Sequence, residues 1–152
     1  MEGIKFAESI IIDKNSEKVF DFTQDYSHRL KWDTFLKKAH LIEGATTADK
    51  GVKAYCVAKN GIGMETEYVT YNRPRVTAIK MTKGPYMFKS FLGSWTFKEL
   101  GKNKTEVIFL YSFSLRFPFN ILKNFIKNNL LTNVKQRLND LKNNIENEST
   151  RA

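Results

Sequence analysis

The chain has 152 residues, and its 25 Lys and Arg against 16 Asp and Glu give a formal net charge of +9. Its length fits one domain, and its 41% hydrophobic and 27% charged residues exclude a disordered chain. A single cysteine, Cys56, excludes an intramolecular disulfide, and with only two histidines it argues against a structural zinc site.

The N-terminal sequence MEGIKFAESI has no basic segment followed by an apolar run, so we expect no signal peptide. No stretch approaches the roughly 20 apolar residues of a membrane-spanning helix. GxSxG, HExxH, P-loop and dinucleotide motifs are missing from the sequence, and we expect neither a metal nor another cofactor. These features predict a reduced, soluble, cytoplasmic protein.

The first predicted element is a strand over residues 3–13, where β-branched residues alternate with others. One face of this strand carries Ile4, Phe6, Glu8, Ile10 and Ile12. Glu8 is therefore the charged side chain of an otherwise apolar face. If that face points inward, Glu8 is a buried carboxylate with a raised pKa and a candidate acid or base; at a sheet edge it is merely solvated.

Two short helices and a weaker strand are predicted next. Asn15 or Ser16 is a suitable N-cap for a helix over residues 17–25. A second helical segment covers residues 27–33, and a strand follows over 36–43.

Five further strands follow, separated by turn signals such as Asn60-Gly61 and Gly101-Lys102-Asn103. The predicted strands cover residues 52–59, 64–71, 75–83, 89–100 and 105–117. Because no helices lie between them, these strands predict an antiparallel sheet.

The turn lengths predict which side chains face one another across the sheet. Tyr68 is expected opposite Ile79, and Thr66 opposite Met81. Trp95 and Phe109 share a face if the turn near residue 101 contains a bulge. Two alternatives remain for strand 52–59, in which the inward side chains are Ala54 and Cys56 or Tyr55 and Val57.

The last element is a long helix predicted to start at Pro118. Apolar residues recur along it at steps of three and four: Phe119, Leu122, Ile126, Leu130, Val134, Leu138, Leu141 and Ile145. The basic residues, Lys123, Lys127, Lys135, Arg137 and Lys142, are placed mostly off this stripe. A polar tail over 147–152 follows a single domain of residues 1–146.

The order of these elements and six short motifs resemble the helix-grip superfamily (SRPBCC), which includes START lipid-transfer domains, and within it the polyketide cyclase/dehydrase-like branch. The motifs are SIIID (9–13), EKVFDF (17–22), WD (32–33), YNRPR (71–75), GSWTF (93–97) and KTEV (104–107). The resemblance covers about residues 3–146. It implies an α+β fold in which a curved antiparallel sheet of about seven strands wraps a long C-terminal helix, with a hydrophobic cavity between them.

The resemblance implies that the protein binds or transports a hydrophobic small molecule such as a lipid, an isoprenoid or a polyketide. The residues expected to line its cavity are Tyr68, Ile79, Met81, Phe91, Trp95, Phe109, Tyr111, Phe113, Leu122, Ile126 and Leu130. A solid core built from the same residues is the alternative.

Two tyrosines and Glu8 are the candidates for chemistry. The hydroxyls of Tyr68 and Tyr111 either hold a ligand carbonyl or bond one another or a water, because a buried tyrosine needs a hydrogen-bond partner. An enzyme of the cyclase, dehydratase or hydrolase type would use Glu8 or one of these tyrosines. The histidines, His28 and His40, are expected in exposed or loop positions.

A membrane contact is predicted at Tyr86, Met87 and Phe88, because lysines flank this apolar loop. Residues 116–119 form a second such edge. The favoured alternative is a loop that folds its aromatic rings inward over the cavity mouth. The remaining positive charge is diffuse, so it favours a solvated surface and argues against a nucleic-acid partner, although a basic-surface contact with ribosome or RNA stays an alternative.

Overall fold

The computed structural model describes residues 3–148 of the protein. Its elements in chain order are β1 Ile4–Ile12, α1 Ser16–Gln24, α2 Arg29–Trp32, β2 Leu36–Leu41, β3 Lys53–Ala58, β4 Gly63–Asn72, β5 Val76–Lys83, β6 Phe88–Gly101, β7 Lys104–Leu115, a 3-10 turn at Phe119–Leu122 and α3 Lys123–Glu148.

The seven strands form one antiparallel sheet in the order β1-β7-β6-β5-β4-β3-β2. The sheet is curled, and α3 packs across its concave face, so the predicted helix-grip architecture is confirmed. β1 and β2 are the two edges of the sheet, and strands β4, β6 and β7 carry buried aromatic side chains.

The predicted register is also confirmed. Thr66 lies opposite Met81 and Tyr68 opposite Ile79. Trp95 lies opposite Phe109, and the register shifts between residues 99 and 101, as the expected bulge requires.

The orientation of β3 is decided by its pairing with β4. Ala54 lies opposite Thr66, and Cys56 lies opposite Met64. Since residues opposite one another share a face, Ala54 and Cys56 are the inward side chains of this strand.

The N-terminal helix α1 closes one end of the sheet. The Asn15 side chain accepts a hydrogen bond of 2.8 Å from the Lys18 backbone N–H, which caps the helix as expected. Phe20 on its inner face is fully buried, and its ring lies 5.3 Å from that of Tyr71 and 5.2 Å from that of Phe97.

Helix α3 departs from its prediction at both ends. It begins at Lys123, because the residues after Pro118 form the 3-10 turn instead, and it continues to Glu148, beyond the predicted start of the polar tail. Positions 149–152 of that tail lie outside the described residues.

Helix α3 consists of two halves with different surroundings. In its C-terminal half, Val134, Leu138, Leu141 and Ile145 are at most 2% exposed and form the core with the sheet. In its N-terminal half the apolar side chains are partly or largely exposed. The core therefore occupies one end of the space between helix and sheet and leaves the other end open.

Candidate ligand-binding cavity

A cavity of about 450 Å³ lies between the concave face of the sheet and the N-terminal half of α3. This volume is within the range of about 300–1,000 Å³ that small-molecule sites occupy. Nine of the residues predicted from the sequence line it: Tyr68, Ile79, Phe91, Trp95, Phe109, Tyr111, Leu122, Ile126 and Leu130.

Met81 and Phe113, which were also expected on the wall, lie outside it. The Phe113 ring is 5.7 Å from that of Phe88 and 6.2 Å from that of Phe91, so it lies beneath the wall instead of on it. Met81 packs against the core, and its sulfur lies near Gly84. Alternation along a strand gives the face of a residue but not its position along the cavity.

The wall contains polar residues that the sequence prediction missed. Asn129, Asn133 and Arg137 line it from α3, and Gln24 and Arg29 line it from the helical region after β1. The signal for the three helical residues was present in the sequence, because they follow Phe125 at steps of four, beside the predicted stripe.

The cavity opens between the turn before α3 and the loop before β6. The exposed fractions of Tyr86, Phe117, Ile121 and Phe125 are 72, 81, 77 and 71%. We refer to these four side chains as the apolar rim. The backbone N–H of Arg116 donates to the Met87 carbonyl at 2.8 Å, and its Nε donates to the Tyr86 carbonyl at 2.9 Å, so the two segments of the rim are held together.

The side chains of the loop before β6 point in two directions. Met87 and Phe88 fold inward and line the cavity. Tyr86 points outward, where the Arg116 guanidinium lies 5.0 Å from the centre of its ring.

Three charged groups are buried at the inner end of the cavity. Asp33 is 0% exposed, Arg137 4% and Arg29 5%. Arg29 Nε donates to Asp33 Oδ2 at 2.8 Å, Arg137 Nη2 donates to the same oxygen at 2.9 Å, and Arg137 Nη1 donates to the Tyr111 hydroxyl at 2.7 Å. We call these four residues the Asp33 cluster.

The expectation that Arg137 lies off the buried face of α3 is wrong. Arg137 is charged, and charged side chains are rarely buried unless they pair with an opposite charge. The pairing partner, Asp33, is 104 positions away in the chain, so only the fold brings the two together.

The charges of the cluster stabilise one another. Burial alone would raise the pKa of Asp33, but the guanidinium groups of Arg137 and Arg29 outweigh it and hold that pKa below its usual value. Burial would lower the pKa of each arginine, and Asp33 reverses this effect, so both pKa values are raised. All three groups are therefore ionised at neutral pH.

The two tyrosines expected to share a ligand carbonyl have separate partners. Tyr68 donates to Gln24 Oε1 at 2.6 Å, whereas Tyr111 accepts from Arg137. Burial, followed by the neighbouring Tyr26, raises the pKa of Tyr68 well above its usual value, so its hydroxyl stays protonated.

The remaining candidate residues lie away from the cavity. Glu8 lies opposite Phe109 on edge strand β1, half-buried, and is not part of the wall. Exposed His28 contacts Asp25 at 2.7 Å, and exposed His40 contacts the Tyr55 ring.

Cys56 lies on the cavity wall, and burial raises the pKa of its thiol. The thiol form is a poor nucleophile, because nucleophilic reactions of cysteine use the thiolate. Cys56 therefore contributes a small apolar surface to the wall.

Within residues 3–148, no three or more His, Cys, Asp and Glu side chains group together in a way that could hold a metal ion. The helices of the described residues include none with the length and apolar character needed to cross a membrane.

Comparison with known proteins gives a family and a set of related folds. The sequence model of the family described as "Polyketide cyclase / dehydrase and lipid transport" matches residues 3–146. No curated protein sequence matches the chain.

Among solved structures, the ZhuI aromatase/cyclase from a Streptomyces species has 12% identity and a TM-score of 0.83, covering 97% of this chain and 96% of that one. Norcoclaurine synthase from Thalictrum flavum has 9% identity and a TM-score of 0.74, covering 97% of both chains. The di-domain aromatase/cyclase BexL has 20% identity and a TM-score of 0.71, covering 93% of this chain and 49% of that one. At these identities the similarity is one of fold.

Proposed function

The chain belongs to the polyketide cyclase/dehydrase and lipid transport family, and on this premise we propose that it binds a hydrophobic small molecule between the sheet and α3. The observation that carries the proposal is the cavity of about 450 Å³, which is open at the apolar rim. A folded protein normally fills such a space with side chains, because interiors pack at the density of organic crystals. The space is lined mainly by aliphatic and aromatic side chains, which suits a lipid, an isoprenoid or a polyketide.

A neutral fluorescent probe, N-phenyl-1-naphthylamine, tests this proposal. We expect its fluorescence to rise when it binds to the wild-type protein. The rise should be smaller for protein that carries a co-purified lipid, because the lipid already occupies the cavity. Native mass spectrometry of the protein from its own host identifies such a lipid.

A matched pair of variants tests where the probe binds. Ile126→Trp adds a large side chain to the cavity wall and should weaken probe binding at least about tenfold through steric exclusion. Asn128→Trp places the same side chain on the exposed face of α3 and should leave binding unchanged. Equal affinities for both variants would contradict binding in this cavity.

Catalysis on such a ligand is the second candidate function, and one contact favours it. Arg137 donates to the Tyr111 hydroxyl at 2.7 Å, and Tyr111 faces the cavity. A hydroxyl that accepts from a guanidinium is a stronger donor to a ligand carbonyl, and that carbonyl then gains negative charge more readily as a ring closes.

A linear poly-β-carbonyl thioester tests the catalytic candidate through the absorbance of an aromatic product. Tyr111→Phe should abolish any acceleration while leaving binding of the neutral probe intact. A rate equal to that without protein would reject the catalytic candidate and leave the binding proposal standing.

We also propose that the apolar rim contacts an anionic membrane surface, where ligand enters or leaves. The rim is aromatic and aliphatic, and Lys83, Lys89, Arg116 and Lys123 are exposed in the segments that carry it or flank it. Apolar side chains beside cationic ones suit the interface of an anionic bilayer.

A further inference from the structure

We propose that the inner end of the cavity is an anion-binding site, and that the ligand is an amphiphile with a carboxylate or similar acidic head bound by Arg29 and Arg137. This inference rests on the proposed binding function and specifies its ligand class. Its first ground is a charge imbalance. Both arginines line the cavity, and its lining contains no Asp or Glu among the described residues.

The imbalance is not relieved elsewhere in the described residues. Asp33 pairs with both arginines, and no other carboxylate forms an ion pair with either of them in this part of the chain. Glu8 lies in the same row of the sheet as Phe109 but forms no ion pair with either guanidinium. The cluster therefore carries one positive charge in excess, and buried charges are normally balanced.

Among the described residues that line the cavity, no other side chain supplies a negative charge. Tyr26 and Cys56 face the same space, and burial raises the pKa of each, so both are neutral at physiological pH. Aromatic rings stabilise the excess charge through cation–π contacts, but they do not neutralise it. The Arg29 guanidinium lies 5.1 Å from the Trp32 ring, and the Arg137 guanidinium lies 5.1 Å from the Phe109 ring.

A hydroxyl without a partner gives independent support. Thr77 is 1% exposed, lines the cavity, and its Oγ1 has no hydrogen-bond partner among the described residues. It lies opposite Trp95, which lies opposite Phe109, the ring beneath Arg137. A buried hydroxyl is nearly always hydrogen-bonded, so this row of the sheet suits a polar atom of the ligand that bonds to Thr77.

The rest of the cavity suits an extended apolar tail. Arg137 is 12 positions after Phe125 on α3, which separates the cluster from the rim by about 18 Å along the helix. Ile126 and Leu130 line the wall between them. The head therefore lies at the buried end and the tail extends toward the mouth.

Competition against N-phenyl-1-naphthylamine tests the inference with dodecanoic acid and dodecan-1-ol at neutral pH. Hydrogen bonds to charged groups are strong enough that the acid should displace the probe at a concentration at least about tenfold lower than the alcohol. Failure of the probe itself to bind would overturn the proposed function. Probe binding with equal displacement by acid and alcohol would overturn only the anion site.

Variants at Arg29 locate the site. Arg29→Met removes the excess charge and leaves the Asp33–Arg137 pair, so the acid and the alcohol should displace the probe at similar concentrations. Arg29→Lys keeps the charge and should keep most of the preference. A preference unchanged in Arg29→Met would overturn the assignment.

A measurement on the wild-type protein does not depend on the folding of a variant. Dodecanoate labelled with ¹³C at its carboxyl carbon should keep the chemical shift of the ionised form to a lower pH when bound than when free, because nearby guanidinium groups stabilise the carboxylate. An unchanged or upward-shifted titration of the bound carboxyl would contradict the proposal.

Discussion

Asp33 is the residue on which the buried charges of this protein depend. Its carboxylate accepts hydrogen bonds from Arg29 on α2, the short helix that ends just before it, and from Arg137 on α3, and it is fully buried. A buried carboxylate with two guanidinium partners links α2 to the middle of α3.

Asp33→Asn should destabilise the fold by about 3–5 kcal/mol, because it leaves two buried guanidinium groups without a carboxylate. Urea denaturation measures this change. Asp21→Asn is the matched control, since Asp21 pairs with Arg73 at the surface and its loss should have a much smaller effect. Similar losses for the two variants would contradict a structural role for the cluster.

The stability of the protein should fall in acid, and Asp33 should contribute to that fall. Because its pKa is lowered in the folded state from the usual 3.8, the unfolded chain binds more protons between the two values. The stabilisation is complete above 3.8 and is lost as the pH falls toward the folded-state pKa.

Denaturation curves between about pH 7 and pH 3 check this dependence. Wild-type protein should lose more stability over that interval than Asp33→Asn. Asp25 and Glu146, whose pKa values are also lowered, contribute equally to both proteins. Parallel losses in the two proteins would show that Asp33 does not contribute.

At the scale of the element, α3 combines two roles that its sequence pattern does not separate. The apolar stripe continues without a break from Leu122 to Ile145. Its C-terminal half packs against the sheet, and its N-terminal half borders the cavity and the rim. The two halves differ because the sheet packs against the C-terminal half, whereas the cavity lies between the sheet and the N-terminal half.

Two leucines on α3 test this division. Leu138→Ala removes a core side chain and should cost about 2–5 kcal/mol of unfolding free energy. Leu130→Ala should cost about 1 kcal/mol, because this side chain is partly exposed and already borders empty space. Thermal or urea unfolding measures both, and equal costs would indicate a solid core instead of a cavity.

At the scale of the whole molecule, the net charge of +9 matters through its position relative to the apolar rim. Diffuse positive charge alone favours solubility and weak association. Beside exposed Tyr86, Phe117 and Ile121, we expect this charge to attract anionic lipid and the apolar side chains to strengthen the contact.

Vesicle sedimentation tests this combination with phosphatidylcholine alone and with added phosphatidylserine. Binding should require the anionic lipid and weaken as salt rises, because salt screens exposed charges. The triple variant Tyr86→Ser, Phe117→Ser, Ile121→Ser should lose most of its binding.

The control for the vesicle experiment is Ile11→Ser with Leu100→Ser. These residues are also exposed and apolar, but they lie on the outer face of β1 and at the end of β6, away from the rim. The control should bind as the wild type does. Equal losses in both variants would mean that general surface hydrophobicity, and not the rim, drives binding.

Local sequence patterns were sufficient to predict the strands, their antiparallel register and the long amphipathic helix. Periodicity and turn residues are local, and a single register places Tyr68 opposite Ile79 and Trp95 opposite Phe109 on one apolar face. Six of the nine predicted wall residues lie on that face, the other three belong to the predicted helix stripe, and the family resemblance implied the cavity between them.

Sequence patterns could not predict which residues of the apolar faces line the cavity and which pack in the core, because this depends on contacts between elements that are distant in the chain. Met81 and Phe113 have the correct face but lie off the wall, because they pack against core side chains instead of bordering the cavity. The Asp33 cluster joins residues 104 positions apart, and a lone arginine on a helix is ordinarily a surface charge. Its burial depends on a partner that local pattern does not reveal, so the charged end of the cavity became visible only in the fold.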